Sequence, residues 1–200
     1  MAEVRERLFG EHHPSVAVAL ANLGETLTQL GRAEEALPIL RRSVELQAPL
    51  ADKGGDAYER HRLAAALRAV GDPAGALDED RRSLASSERA GESDGYWGSF
   101  PLTGIGLDLL ALGRAREAVA PLERALALRA SDEVPAEVSE TCFALARALF
   151  ATGDPANRPR ARLMASRARD VLASDADRYG GAFTASMNEI EAWLGQADRR

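Results

Sequence analysis

Three histidines, one cysteine and 31 acidic residues are the groups in this sequence that could hold a metal or move a proton. His12 and His13 are adjacent, whereas two ligands on one helix face need a spacing of four. His61 stands far from both. This pattern predicts no metal site and no cofactor. Cys142 is alone, so no internal disulfide can form, and a reducing compartment fits. There is no Gly-rich phosphate loop, no strand-borne lysine and no Asp-Phe-Gly, so the parts of a phosphoryl-transfer site are missing. An enzyme needs polar groups converging on a pocket, and no acid–base pair suggests itself. The expectation is a protein that is not an enzyme. Arg158, Arg160, Arg162, Arg167 and Arg169 make a basic run that reads as a solvated helix face; a contact to an acidic partner is the competing reading.

The bulk numbers agree with a binding role. The chain has 200 residues, 46% hydrophobic and 28% charged, too apolar to be disordered. Its apolar content is mostly Ala and Leu, which favours helix. The net charge of −6 argues against nucleic acid or a membrane surface as partner, since such binders are basic. No apolar run approaches the roughly 18 residues of a membrane span. The charged segment Glu3-Val4-Arg5-Glu6-Arg7 is no signal peptide. These features predict a cytoplasmic location.

What positions any site is a repeat. Leu30-Gly31-Arg32-Ala33-Glu34-Glu35-Ala36-Leu37 returns as Val70-Gly71-Asp72-Pro73-Ala74-Gly75-Ala76-Leu77 and as Leu112-Gly113-Arg114-Ala115-Arg116-Glu117-Ala118-Val119. A fainter copy starts at Thr152-Gly153-Asp154-Pro155. Gly31, Gly71, Gly113 and Gly153 are 40, 42 and 40 residues apart. A fixed period in this range marks a repeat array, whose units bury their apolar faces only by stacking.

Each copy reads as two helices around its glycine. Val16, Leu20, Leu23, Leu27 and Leu30 follow a 4-3-4-3 spacing, one face of an amphipathic helix that starts at Pro14. Its partner runs from about residue 33 to 48. The later pairs are expected near 57–70 and 73–90, 100–112 and 115–130, and 136–152 and 159–174. In the second helix of the second pair, Asp80 falls where other copies have Leu40 and Leu122, so this helix is expected to be exposed and poorly held. Residues 91–98 read as a loop carrying Tyr96 and Trp97. A last helix carries Phe183, Met187, Ile190 and Leu194, an apolar face able to cover the final pair.

Alignment on the glycines gives columns. Seven residues before them stand Gly24, Ala64, Gly106 and Ala146. Eight before stand Leu23, Leu63, Ile105 and Leu145, and four before stand Leu27, Leu67, Leu109 and Leu149. Ala36, Ala76 and Ala118 stand five after. Small residues on facing helices let two axes approach, and leucines fill the groove between them. Cys142 shares a column with Leu20, Arg60 and Leu102, which suits a small buried hydrophobe.

In these columns the chain resembles the tetratricopeptide repeats, helix-turn-helix units of about 34 residues. The longer unit here, with His13-Pro14-Ser15-Val16-Ala17, Leu20-Ala21-Asn22-Leu23 and Glu35-Ala36-Leu37-Pro38, is similar to the kinesin-light-chain variety. Leu109-Leu110-Ala111-Leu112-Gly113-Arg114 and Phe143-Ala144-Leu145-Ala146-Arg147-Ala148-Leu149 also resemble the C-terminal repeat arrays of bacterial serine/threonine kinases. The resemblance implies an all-α, right-handed solenoid of helix-turn-helix pairs with a C-terminal capping helix. The expected division is a remnant of a preceding repeat at 1–13, units at 14–54, 55–94, 95–134 and 135–178, and the cap at 179–200.

It also implies a role and a face. Such arrays bind peptides on the groove lined by their first helices. The register places Asn22, Glu25, Val18 and Gln29 there in the first unit and Tyr58, His61, Arg62 and Arg68 in the second. Phe100, Thr103 and Leu107 follow in the third, then Phe143, Arg147, Phe150 and Glu140 in the fourth. Asn22 stands where such repeats hold a ligand backbone. Aromatic residues and arginines together are the residues of interface hot spots. For Phe143 and Phe150, packing between repeats is the competing reading. Arg62, Arg68 and Arg147 bias the groove towards an acidic protein or peptide. The expected function is a non-catalytic scaffold; the alternative is the substrate-recruiting tail of a bacterial signalling protein such as a kinase. If the front edge is cut, Val16 and Leu20 are under-covered and a homodimer through that N-terminal edge is expected.

Overall fold

The computed structural model describes residues 10, 13–53, 55–129, 134–174 and 183–197. The described residues are helices and turns, with no strand among them. In order they form α1 (Pro14–Gln29), α2 (Ala33–Gln47), a 3-10 helix (Ala48–Lys53), α3 (Ala57–Ala69), α4 (Pro73–Ala90), a 3-10 turn (Tyr96–Gly98), α5 (Ser99–Ala111), α6 (Ala115–Leu128), α7 (Pro135–Ala151), a 3-10 turn (Pro155–Asn157), α8 (Arg158–Ser174) and α9 (Thr184–Ala197). Most of the expected remnant at 1–13, His12 included, lies outside the described residues. His13 is described, and its ring accepts from the Ser15 N–H at 3.1 Å, capping α1.

The repeat glycines explain where first helices stop. Gly31, Gly71, Gly113 and Gly153 all lie at φ between 72° and 83°, a conformation a side chain would strain. Around Gly31 the chain closes a Schellman motif: Gly31 N–H donates to Thr28 O at 3.0 Å and Arg32 N–H to Leu27 O at 2.8 Å. The same pair of bonds recurs at Gly71 and Gly113. The residue after the glycine then starts the second helix. Arg32 and Arg114 each grip a glutamate three residues on, Glu35 and Glu117, through two bonds of 2.6–2.8 Å. Asp72 instead caps the Gly75 N–H at 2.9 Å.

The chain divides into two compact units, residues 1–108 and 109–200. In the first, α1 packs on α2, α3 on α4, and α3 also on α1 and α2. Its core joins Ala21, Ala36, Leu40, Leu63, Leu67 and Ala76. Gly24 is required there, because a Cβ at this position would come 2.6 Å from Leu40 Cδ2. In the second unit α7 packs on α6 and α8, and α9 on α8. Val138, Cys142, Ala165, Leu172 and Ile190 form its core, with Met187, Trp193 and Leu194 packed against it. Cys142 is fully buried, and burial pushes its thiol pKa up, so it serves as packing.

Three expectations need correction. Helix α4 is not exposed or poorly held: it is 18 residues long, capped at both ends, and Asp80 is fully buried. The residue that breaks the leucine column is held by an ion pair to Arg68 and a hydrogen bond with His61 instead of packing. Val16 and Leu20 are both buried, so the apolar edge expected to drive a homodimer is not open at those residues. Conversely Leu23, counted with a leucine column, is 45% exposed, whereas Leu63, Ile105 and Leu145 are buried.

Candidate functional site

The first unit carries a cavity of about 500 Å³. Val18 of α1, Gln47 of α2, Tyr58, Glu59, His61 and Arg62 of α3, Ser83 and Ser87 of α4, and Trp97, Phe100 and Pro101 line it. The expected loop at 91–98 therefore ends in an ordered turn. The Tyr96 ring meets Phe100 edge-on at 4.9 Å, and Trp97 stacks on Phe100 at 5.7 Å. Trp97 remains 58% exposed.

Side chains of α1 and α3 interlock beside this cavity. The Tyr58 hydroxyl donates to Asn22 Oδ1 at 2.8 Å. Arg62 Nη1 pairs with Glu25 Oε1 at 2.8 Å, and its guanidinium lies 4.7 Å from the Tyr58 ring centre. Below them runs a buried relay. His61 Nδ1 lies 2.7 Å from Asp80 Oδ1, Arg68 Nη2 donates to Asp80 Oδ2 at 2.7 Å, and Arg68 Nε to Asp108 Oδ1 at 2.6 Å. Asp80 and Asp108 are fully buried. Desolvation raises the Asp108 pKa, and Arg68 opposes that shift. Gly104 makes room for the relay: a Cβ there would sit 2.6 Å from the Asp80 carboxyl carbon.

Of the residues expected in a groove, Tyr58, His61, Arg62 and Phe100 line this cavity, and Asn22 and Glu25 brace two of them. Arg68 and Thr103 do not line it. Arg68 is spent on Asp80 and Asp108. Thr103 is buried, its hydroxyl donating to Ser99 O at 3.0 Å. In the second unit, Phe143 and Phe150 pack edge-on against Trp193 at 5.9 and 5.4 Å. Arg147 lies over Phe143 at 5.9 Å, and with Phe150 and Trp193 it lines a smaller cavity of about 290 Å³.

Several lining residues escaped the sequence reading, Gln47 and Glu59 among them. The register held a signal for Glu59. It stands twelve residues before its glycine, in a column with Ala19, Pro101 and Thr141, and all four are buried. An acid in such a column is a buried acid. Asp56 repeats the lesson in a column with Val16, Gly98 and Val138. It accepts from Ser86 and pairs with Arg60 at 2.5 Å.

The sequence profile of the tetratricopeptide repeat matches residues 2–48 and 57–131. The chain is a tetratricopeptide-repeat protein. Its fold is the all-α solenoid type of that family. Two crystal structures of nearly identical TPR-like repeats from a Podosopora anserina putative kinesin light chain, one of them of a point variant, superpose with TM-scores of 0.68 and 0.67. Each is 20% identical over 94% of this chain and 95% of the other. BtubC (BKLC) from P. vanneervenii superposes with a TM-score of 0.67 at 20% identity, over 81% of this chain and 65% of that one. At this identity the likeness is one of fold. No curated protein matches the chain. Tetratricopeptide repeats in general are protein-interaction scaffolds. Among the described residues no three His, Cys, Asp or Glu side chains are grouped to hold a metal, and no helix is long and apolar enough to cross a membrane.

Proposed function

We propose that this tetratricopeptide-repeat protein is a non-catalytic scaffold that binds an extended segment of a partner protein across α1 and α3. The observation that carries this reading is the cavity of about 500 Å³ walled by Tyr58, Trp97 and Phe100, with Trp97 exposed. A half-open aromatic cavity fits one anchoring side chain, and such anchors supply most of the energy of peptide recognition. Rigid neighbours favour it. The Asn22–Tyr58 and Arg62–Glu25 links pre-set the wall, so less ordering entropy is lost on binding.

The acidic-partner expectation loses two of its three arginines, because Arg62 and Arg68 are neutralised within the first unit. Peptides selected by display against the whole chain test the proposal. Trp97→Ala should weaken the selected peptides about tenfold or more without unfolding the protein, since Trp97 is largely exposed. Peptides indifferent to that change would place recognition elsewhere.

A further inference from the structure

Among the described residues of the first unit, four acids are fully or almost fully buried: Asp56, Glu59, Asp80 and Asp108. Three of them have a cation. Asp56 meets Arg60, and Asp80 and Asp108 share Arg68. Glu59 has none. Its Oε1 accepts a long bond of 3.3 Å from Gln47 Nε2. Its Oε2 and the Gln47 Oε1 are both buried without any hydrogen-bond partner. Buried acceptors are almost always satisfied, so two orphans on adjacent side chains need an explanation.

Both side chains line the cavity. Arg60 is held by Asp56 and Glu79, and Arg62 by Glu25 and the Tyr58 ring, with the buried Arg62 Nε left without an acceptor. The remaining wall combines the stacked Trp97 and Phe100 with Ser83, Ser87 and a second acid, Glu92.

We propose that the cavity receives a lysine side chain of the partner segment, its ammonium donating to Glu59 Oε2 and Gln47 Oε1 and its alkyl stem lying against Trp97 and Phe100. An ammonium carries three donors and no acceptor, which matches two unpaired oxygens. Its four-carbon stem packs on apolar surface while the charge reaches a partner, and an aromatic face attracts the cation. An acidic side chain would meet Glu59 as a like charge, and an aliphatic one would leave both oxygens unpaired. Burial also holds the Glu59 pKa above the ordinary glutamate range, which agrees with a carboxylate lacking a counter-charge. The assignment rests on the peptide-binding reading above and names the residue that reading leaves open.

The two tryptophans give the test, because Trp97 lines the cavity and Trp193 lies in the second unit as an internal control. The ¹⁵N-labelled full chain is titrated with N-acetyl-lysine methylamide and, in parallel, with N-acetyl-norleucine methylamide, which lacks the ammonium. The lysine probe should shift the Trp97 indole signal saturably and bind at least about tenfold tighter than the norleucine probe, and Glu59→Gln should abolish that ratio. Equal affinities, no saturable shift with lysine, or a ratio that survives Glu59→Gln would overturn the assignment. Gln47→Met removes the second acceptor and serves the same purpose should Glu59→Gln not fold. Display peptides that need Trp97 while the lysine probe fails would leave the scaffold reading standing and remove only the lysine. A lysine probe that binds while no peptide does would have the opposite meaning.

Discussion

At the scale of single residues, the buried acids decide what the first unit can do. Glu59 pays for its place unless a ligand arrives. Burial raises its carboxyl pKa, so over the interval between the unfolded and folded values the native chain holds a proton that the unfolded chain has lost. The penalty for ionising it is absent below the ordinary glutamate range near 4.3 and complete above the folded pKa. Glu59→Gln should therefore stabilise the free protein at pH 7 by about 1 kcal/mol. The melting temperature should rise roughly 2–4 °C, and the gain should shrink as pH falls towards 4. A loss of stability at pH 7, or a gain independent of pH, would contradict this account. Arg62 is the opposite case. The register alone marks it as a groove cation that biases the ligand towards negative charge. The structure pairs it with Glu25, so Arg62→Glu sets two carboxylates together and should lower stability by about 1 kcal/mol. The swapped double variant Glu25→Arg/Arg62→Glu should recover most of that loss in a double-mutant cycle. The face of each residue was legible in the sequence; its partner was not, because ion pairs across a helix pair leave no periodic trace.

At the scale of elements, glycine and alanine columns were enough to place the helices, since a left-handed stop and a close helix approach each admit few residue types. Helix α4 shows where this logic stops. Its polar residue in a leucine column suggests exposure when hydrophobicity is the only scale. Burial came out complete because Arg68 and His61 meet Asp80 from α3 and Gly104 leaves the space. Ser43 and Ser83 tell a related story: each donates its hydroxyl to a first-helix carbonyl 26 residues earlier, Ala17 or Ala57, at 2.7 and 2.6 Å. The later copies have buried Ala125 and Ala165 in that column. The consequence for α4 can be measured. Asp80→Leu would restore the column's leucine, yet it would strip His61 of its partner and half of the charge facing Arg68. The variant should lose about 3 kcal/mol or more in urea unfolding, and Asp80→Asn, which keeps the shape and one acceptor oxygen, should lose less. A neutral or stabilising Asp80→Leu would mean that the relay contributes little to holding α4.

At the scale of the whole molecule, stability in a repeat protein is close to a sum of units and nearest-neighbour interfaces. The period that revealed the family also carries this energetic meaning. Unlike a single central core, such an arrangement confines the damage of a core mutation to nearby elements. The second unit offers a clear place to look. Ile190 of α9 is buried among Val138, Cys142 and Leu172 of α7 and α8. Ile190→Asp would bury an unpaired charge, a change that costs several kcal/mol unless the segment opens. Opening is the cheaper response, because α9 is the last described helix and is held by α8 and by the α7 face that carries Phe143 and Phe150. Amide hydrogen exchange should therefore accelerate by at least about tenfold in α8 and α9, and less in α7. The amides of α2 and α3, which belong to the first unit's core, should keep their protection. Uniform acceleration along the chain would show that the 200 residues unfold as one cooperative body. Local acceleration would allow the surface of each unit to be altered without disturbing the other.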